Sequence, residues 1–153
     1  MILGDPPLLA ATADPEGEEE TGTPRAVPPE RLEHVLCVED DPDIRALVEL
    51  SLATVGGLRV TSCGSGREAL ELFAASRPDV VLLDVMMPEM DGIETFHRLA
   101  RATGGVPPVV FMTAKVQPRE VERYLALGAL GVIAKPFDPM TLAADLRRLC
   151  GGP

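Results

Sequence analysis

Residues 79–85 read DVVLLDV, four consecutive β-branched or leucine side chains between two aspartates. A strand with one wet face alternates apolar and polar residues, and this run does not. It reads instead as a strand buried on both faces, the mark of the middle of a parallel sheet. Working outward, HVLCV (34–38), LRVTSC (58–63), PVVFMTA (108–114) and GVIAKP (131–136) are further short apolar runs, each followed by a stretch of helical period. Five strand–helix pairs of this kind predict an α/β fold, a doubly wound five-stranded parallel sheet with helices on both faces.

The turn residues place the helices. Asp41 is suited to cap the first, with Pro42 at its first position, inward residues Ile44, Leu47, Val48 and Val55, and a stop at Gly56-Gly57. Gly64-Ser65-Gly66 opens a second that turns Ala69, Leu72 and Phe73 inward and ends before Pro78. The loop MMPEMDG (86–92) leads to a third bearing Ile93, Phe96 and Ala100, for which Asp91 is a helix-start residue. A fourth carries Val121, Tyr124 and Leu125, and a last begins near Asp138-Pro139 and carries Leu142, Leu146 and Leu149.

The chain has 153 residues, 46% hydrophobic and 25% charged, enough for one globular domain. Its formal charge of -10 is uneven: residues 1–33 hold eight acids against Arg25 and Arg31, together with six prolines. Such a composition buries too little apolar surface to offset ordering, so 1–33 is expected as a disordered acidic tail and 34–150 as the folded domain. Within the tail, MILGDPPLLAATA is apolar enough to contact a partner or the domain itself. An acidic chain is a poor match for nucleic acid or an anionic membrane. No window reaches the roughly 18 to 20 apolar residues of a spanning helix, and the N-terminus lacks the basic start of a signal peptide, so a cytoplasmic protein is expected. Cys37, Cys63 and Cys150 are too scattered for a disulfide framework or a CxxC metal site and read as buried thiols. His34 and His97 have no companion ligands, and the glycines around Ser65 lack the lysine of a P-loop.

In an open doubly wound sheet, functional groups collect at the carboxyl ends of the strands. Those ends carry Glu39 and Asp40, Asp84, Thr113 and Lys135. Three carboxylates on one rim repel each other unless a cation lies between them, and hard oxygen donors suit Mg²⁺.

The four stretches VLCVEDDPDIR, VVLLDVMMPEMDG, VVFMTA and GVIAKPF match, in order and spacing, the receiver domain of two-component response regulators, and the resemblance covers His34 to about Cys150. It implies the CheY-like strand order 2-1-3-4-5. It further implies Asp84 as phospho-acceptor, Asp40 as a direct Mg²⁺ ligand, Glu39 as a ligand acting largely through water, and Met86 as a carbonyl ligand. By the same resemblance Thr113 is the switch hydroxyl, Lys135 binds phosphate, and Pro136 follows a cis peptide. The implied chemistry is attack by Asp84 on a phosphohistidine of a sensor histidine kinase or phosphotransfer protein. One departure stands out: the aromatic residue usual three positions before the lysine is Val132 here, and the single tyrosine, Tyr124, lies on the fourth helix.

The expected role is therefore a stand-alone receiver, a monomer or weak dimer that signals by binding a protein, without turnover on a free substrate and without DNA binding. The alternative is a phosphorylation-independent interaction module of the same fold. A phosphatase of haloacid-dehalogenase type would need a second aspartate where this chain has Met86.

Overall fold

The computed structural model describes residues 26–29 and 31–151. Five strands pair in parallel in the order β2-β1-β3-β4-β5, with β1 at His34–Val38, β2 at Arg59–Cys63, β3 at Val80–Asp84, β4 at Val109–Thr113 and β5 at Gly131–Ala134. Helices α1 (Pro42–Leu50), α2 (Gly66–Ser76), α3 (Gly92–Thr103), α4 (Pro118–Ala126) and α5 (Leu142–Leu149) alternate with them. This is the doubly wound sheet expected from the sequence, and β3, every residue of it buried, is its central strand.

The register, with Leu82 opposite Val110 and Val110 opposite Gly131, sorts the strand side chains into two rows. Val35, Cys37, Leu82, Val110, Met112 and Ile133 pack under Val48 and Leu52 and under Leu142 and Leu146 of α5. On the other face Leu36, Val38, Leu83 and Phe111 meet Ala69 of α2, Phe96 and Leu99 of α3 and Tyr124 of α4. Crossover helices on both faces are what keep such a sheet dry and leave only its strand ends open.

Side chains cap α1, α2 and α3 as their types dictate. Asp41 Oδ1 accepts from the Asp43 amide at 2.9 Å, Asp91 Oδ1 accepts from the Glu94 amide at 2.8 Å, and Ser65 Oγ accepts from the Glu68 amide at 3.1 Å. Two local expectations are corrected. Leu47 and Val55 do not face the core: both are exposed. After Leu50 the helix widens into a π turn over Ser51–Val55, closed by the Gly56 amide on the Ser51 carbonyl at 3.0 Å. The wider turn advances less arc per residue, so Leu52, four residues after Val48, keeps its inward place while Val55 rotates out. The last helix begins at Leu142 and not at Asp138, because Asp138 Oδ1 binds the Met140 amide at 2.8 Å and holds a separate turn first.

Of the segment expected as a tail, residues 1–25 and 30 lie outside the described residues. Ala26 is buried, and its amide donates to the Gly128 carbonyl at 3.2 Å just past α4. Among the described residues no helix is long and apolar enough to cross a membrane.

Candidate functional site

The carboxyl edge of the sheet gathers the residues singled out above. Asp84 ends β3 and Glu39 follows β1; each is only 1% exposed, although both are acids. One oxygen from each of Glu39, Asp40 and Asp84 lies within 4.8 Å of the others. Lys135, just past β5, brings its Nζ to 3.1 Å from Asp84 Oδ1 and 3.0 Å from Glu39 Oε1. Thr113 ends β4 beside it, since the Lys135 amide donates to the Thr113 carbonyl at 2.9 Å. The Thr113 hydroxyl is buried and accepts from the Lys115 amide at 3.0 Å. Met86 enters through its backbone, its amide donating to Asp84 Oδ1 at 3.3 Å while its side chain is 65% exposed. The Lys135–Pro136 peptide is cis, as expected.

Burial, and then the negative charge of Glu39, push the Asp84 carboxyl up from its ordinary 3.8 to about 7, against the opposing pull of Lys135. Burial alone would lower the Lys135 ammonium, but its hydrogen bonds and charge pairing with Glu39 and Asp84 outweigh it and hold the group above its usual range. One ammonium thus faces three carboxylates. Glu39 Oε1 is buried and, among the described residues, lacks a well-directed hydrogen bond, with the Lys135 ammonium as its cationic neighbour. A divalent cation with hard oxygen ligands fits this donor set: it would satisfy the orphaned oxygen and offset the repulsion that raises Asp84.

Three residues matter here that had no role in the site assigned from the sequence. Arg45 Nη1 donates to the Glu39 carbonyl at 2.9 Å. Gly92 lies so close to the end of β3 that a Cβ on it would sit 2.4 Å from the Asp84 carbonyl oxygen, and its amide donates to the Val85 carbonyl at 2.9 Å. Gly64 leaves room for the Arg45 guanidinium. A close approach of this kind gives no signal in composition or period. Tyr124, the single tyrosine, is buried against Phe111 at a centroid distance of 5.1 Å, and Val132 packs into the same cluster.

The family model described as response regulator receiver domain matches residues 35–147. The chain belongs to the response regulator receiver domain family. Receiver domains are signalling modules of two-component systems that accept phosphoryl groups, and in this one Glu39, Asp40 and Asp84 cluster at the sheet edge. It is 40% identical over 114 residues to the transcriptional regulatory protein CseB of Streptomyces avermitilis, covering 74% of this chain and 47% of that protein. It is 41% identical over 115 residues to the response regulator MprA of Mycolicibacterium vanbaalenii, covering 75% and 49%. The chain therefore spans about half the length of the curated relatives it matches. Among solved structures, the chemotaxis protein CheY4 of Vibrio cholerae aligns with a TM-score of 0.70 at 33% identity, covering 78% of this chain and 99% of that one. The receiver domain of NarL from Mycobacterium tuberculosis aligns at 0.69 and 29%, covering 80% and 99%.

Proposed function

We propose that this receiver domain takes a phosphoryl group onto Asp84 from the phosphohistidine of a sensor histidine kinase or phosphotransfer protein and passes the signal on by binding a protein partner in the cytoplasm. The observation that carries the reading is a buried carboxylate at the end of the central strand, 3.1 Å from a lysine ammonium and within 4.8 Å of two further acids.

In the proposed step an Asp84 oxygen attacks phosphorus, the P–N bond to the donor imidazole breaks, and an acyl phosphate forms. Lys135 pairs with the negative phosphoryl oxygens in place of the free carboxylate it holds now. Glu39, Asp40, Asp84 and the Met86 carbonyl are the groups assigned to Mg²⁺, which when bound adds positive charge against the transferring group. Thr113, whose hydroxyl oxygen now accepts from the Lys115 amide, then has a phosphoryl oxygen to which its hydroxyl proton can be donated. A shift of Thr113 would pull on the segment between β4 and α4, a charge event read out as a loop movement.

The test is phosphoryl uptake from acetyl phosphate or a phosphorylated kinase. Wild type takes up phosphate only with Mg²⁺ present, whereas Asp84→Asn takes up none. Uptake unchanged in Asp84→Asn, or unchanged by chelator, would overturn the reading in favour of the phosphorylation-independent module. CseB is named as a transcriptional regulatory protein, which favours transcription as the process served.

A further inference from the structure

We infer that Arg45, seated in a slot that Gly64 leaves open, is a positioning residue for the acid pair Glu39–Asp40; the inference rests on the proposed function of that site and deepens it.

The Glu39 backbone is tied at both ends. Its amide donates to the Cys63 carbonyl at 3.1 Å, which continues the β1–β2 ladder one residue past the strand. Its carbonyl accepts from Arg45 Nη1 at 2.9 Å. The side chain is tied as well, Oε2 accepting from the Asp41 amide at 3.1 Å. With those three bonds made, Oε1 is the one polar atom of Glu39 left for the charge at the centre of the site, and it is buried. A guanidinium is suited to this task, because its rigid planar donors lose little freedom per bond formed.

The slot is built by the glycine-rich turn after β2. A Cβ on Gly64 would lie 2.8 Å from Arg45 Nη1 and 3.9 Å from the Glu39 carbonyl oxygen, so any side chain there displaces the guanidinium. The turn is itself held: the Gly64 amide donates to Glu68 Oε1 at 2.9 Å and the Glu68 amide to Ser65 Oγ at 3.1 Å. The turn that resembled a phosphate loop in composition thus acts on the site indirectly, through an arginine from α1. Arg45 touches neither the phosphoryl group nor the metal in this scheme. It fixes the peptide from which two of the three acids extend.

The test is calorimetric titration of the full chain with Mg²⁺, paired with urea denaturation and amide chemical shifts. Arg45→Ala and Gly64→Ala should each weaken Mg²⁺ about 10-fold, the scale on which groups supporting a ligand act. The double variant should be no weaker than either single one, since the glycine matters only through the arginine. Gly105→Ala, at a glycine with open space around it, should leave the affinity unchanged. Affinity retained in Arg45→Ala, or losses that add in the double variant, overturns the inference, whatever happens to stability. If wild type itself binds no Mg²⁺, the proposed function fails first. The inference is then decided by the metal-free amide shifts of Glu39 and Asp40, which Arg45→Ala must move while those of Thr113 and Lys135 stay in place.

Discussion

Asp84 is held in two conflicting ways: its position makes it a nucleophile, and its burial beside Glu39 makes its ionised form costly. A carboxyl that titrates near 3.8 unfolded and at about 7 folded binds more protons in the folded state between those values. Stability therefore falls as pH rises through that window. In divalent-free buffer at about pH 8, Asp84→Asn should be more stable than wild type by about 1–2 kcal/mol, in the range seen when a poorly compensated buried charge is removed. By about pH 5 that gap should have narrowed, because wild-type Asp84 is then protonated when folded. Urea midpoints of the two proteins at both pH values measure it, and a gap that widens at low pH would refute the assignment. The identity and spacing of Asp84, Asp40, Thr113 and Lys135 were legible in the sequence because each follows a recognisable strand. The roles of Arg45 and Gly92 were not, because they depend on which loops come within 3 Å of each other.

At the scale of the element, α1 shows what periodicity misses. Counting 3.6 residues per turn from Val48 puts both Leu52 and Val55 inward, but the π turn advances less arc per residue and carries Val55 out while Leu52 stays in the core. Leu52 is fully buried and Val55 is 46% exposed. Truncation distinguishes the two readings: Leu52→Ala should cost about 2–5 kcal/mol by opening a cavity, while Val55→Ala should stay within about 0.5 kcal/mol. Denaturant unfolding of both variants gives the answer. The π turn also lets the Ser51 hydroxyl reach the Pro139 carbonyl, tying α1 to the loop between β5 and α5. That loop begins with Lys135 itself, so the helix phase, the loop and the site are mechanically linked.

For the whole molecule, the opposite end of the sheet has its own buried polar residue. His34 is 4% exposed, its Nε2 lies 2.8 Å from Thr61 Oγ1, and its Nδ1 has no partner among the described residues. Burial first, then Arg59, lower its pKa below 6.5, with Asp79 opposing. The unfolded chain therefore takes up a proton that the folded one refuses, so this contribution is complete above about pH 6.5 and is lost as pH falls below it. His34→Gln should flatten that loss, read as the difference in urea midpoint between wild type and variant from about pH 7 to 5. Taking the difference removes the opposite slope due to Asp84. The fold also hides its thiols: all three cysteines are buried, and burial pushes Cys63 and Cys150 up to about 11. A chromogenic disulfide reagent at about pH 8 should find no reactive thiol in the native protein and three in denaturant. Prompt reaction of Cys37 or Cys63 in the native protein would show that the sheet opens.

The sequence by itself determined the layers and the rim. Unbroken apolar runs such as VVLL (80–83) can be satisfied only inside a two-sided sheet, and a polar residue placed directly after such a run must emerge at the strand end. Cap and turn residues, Asp41, Ser65 and Asp91 among them, fixed where helices start through bonds made within a few residues of themselves. Only the tertiary structure decided how the rim is held. The 3.1 Å contact of Lys135 with Asp84, the clamp of Arg45 on Glu39 and the fit of Gly92 against the Asp84 backbone each join separate elements. Such contacts depend on distances between chain segments that hydrophobic period does not encode. They become fixed only when both faces of the sheet are packed and close approach leaves room for hydrogen but not for a methyl group.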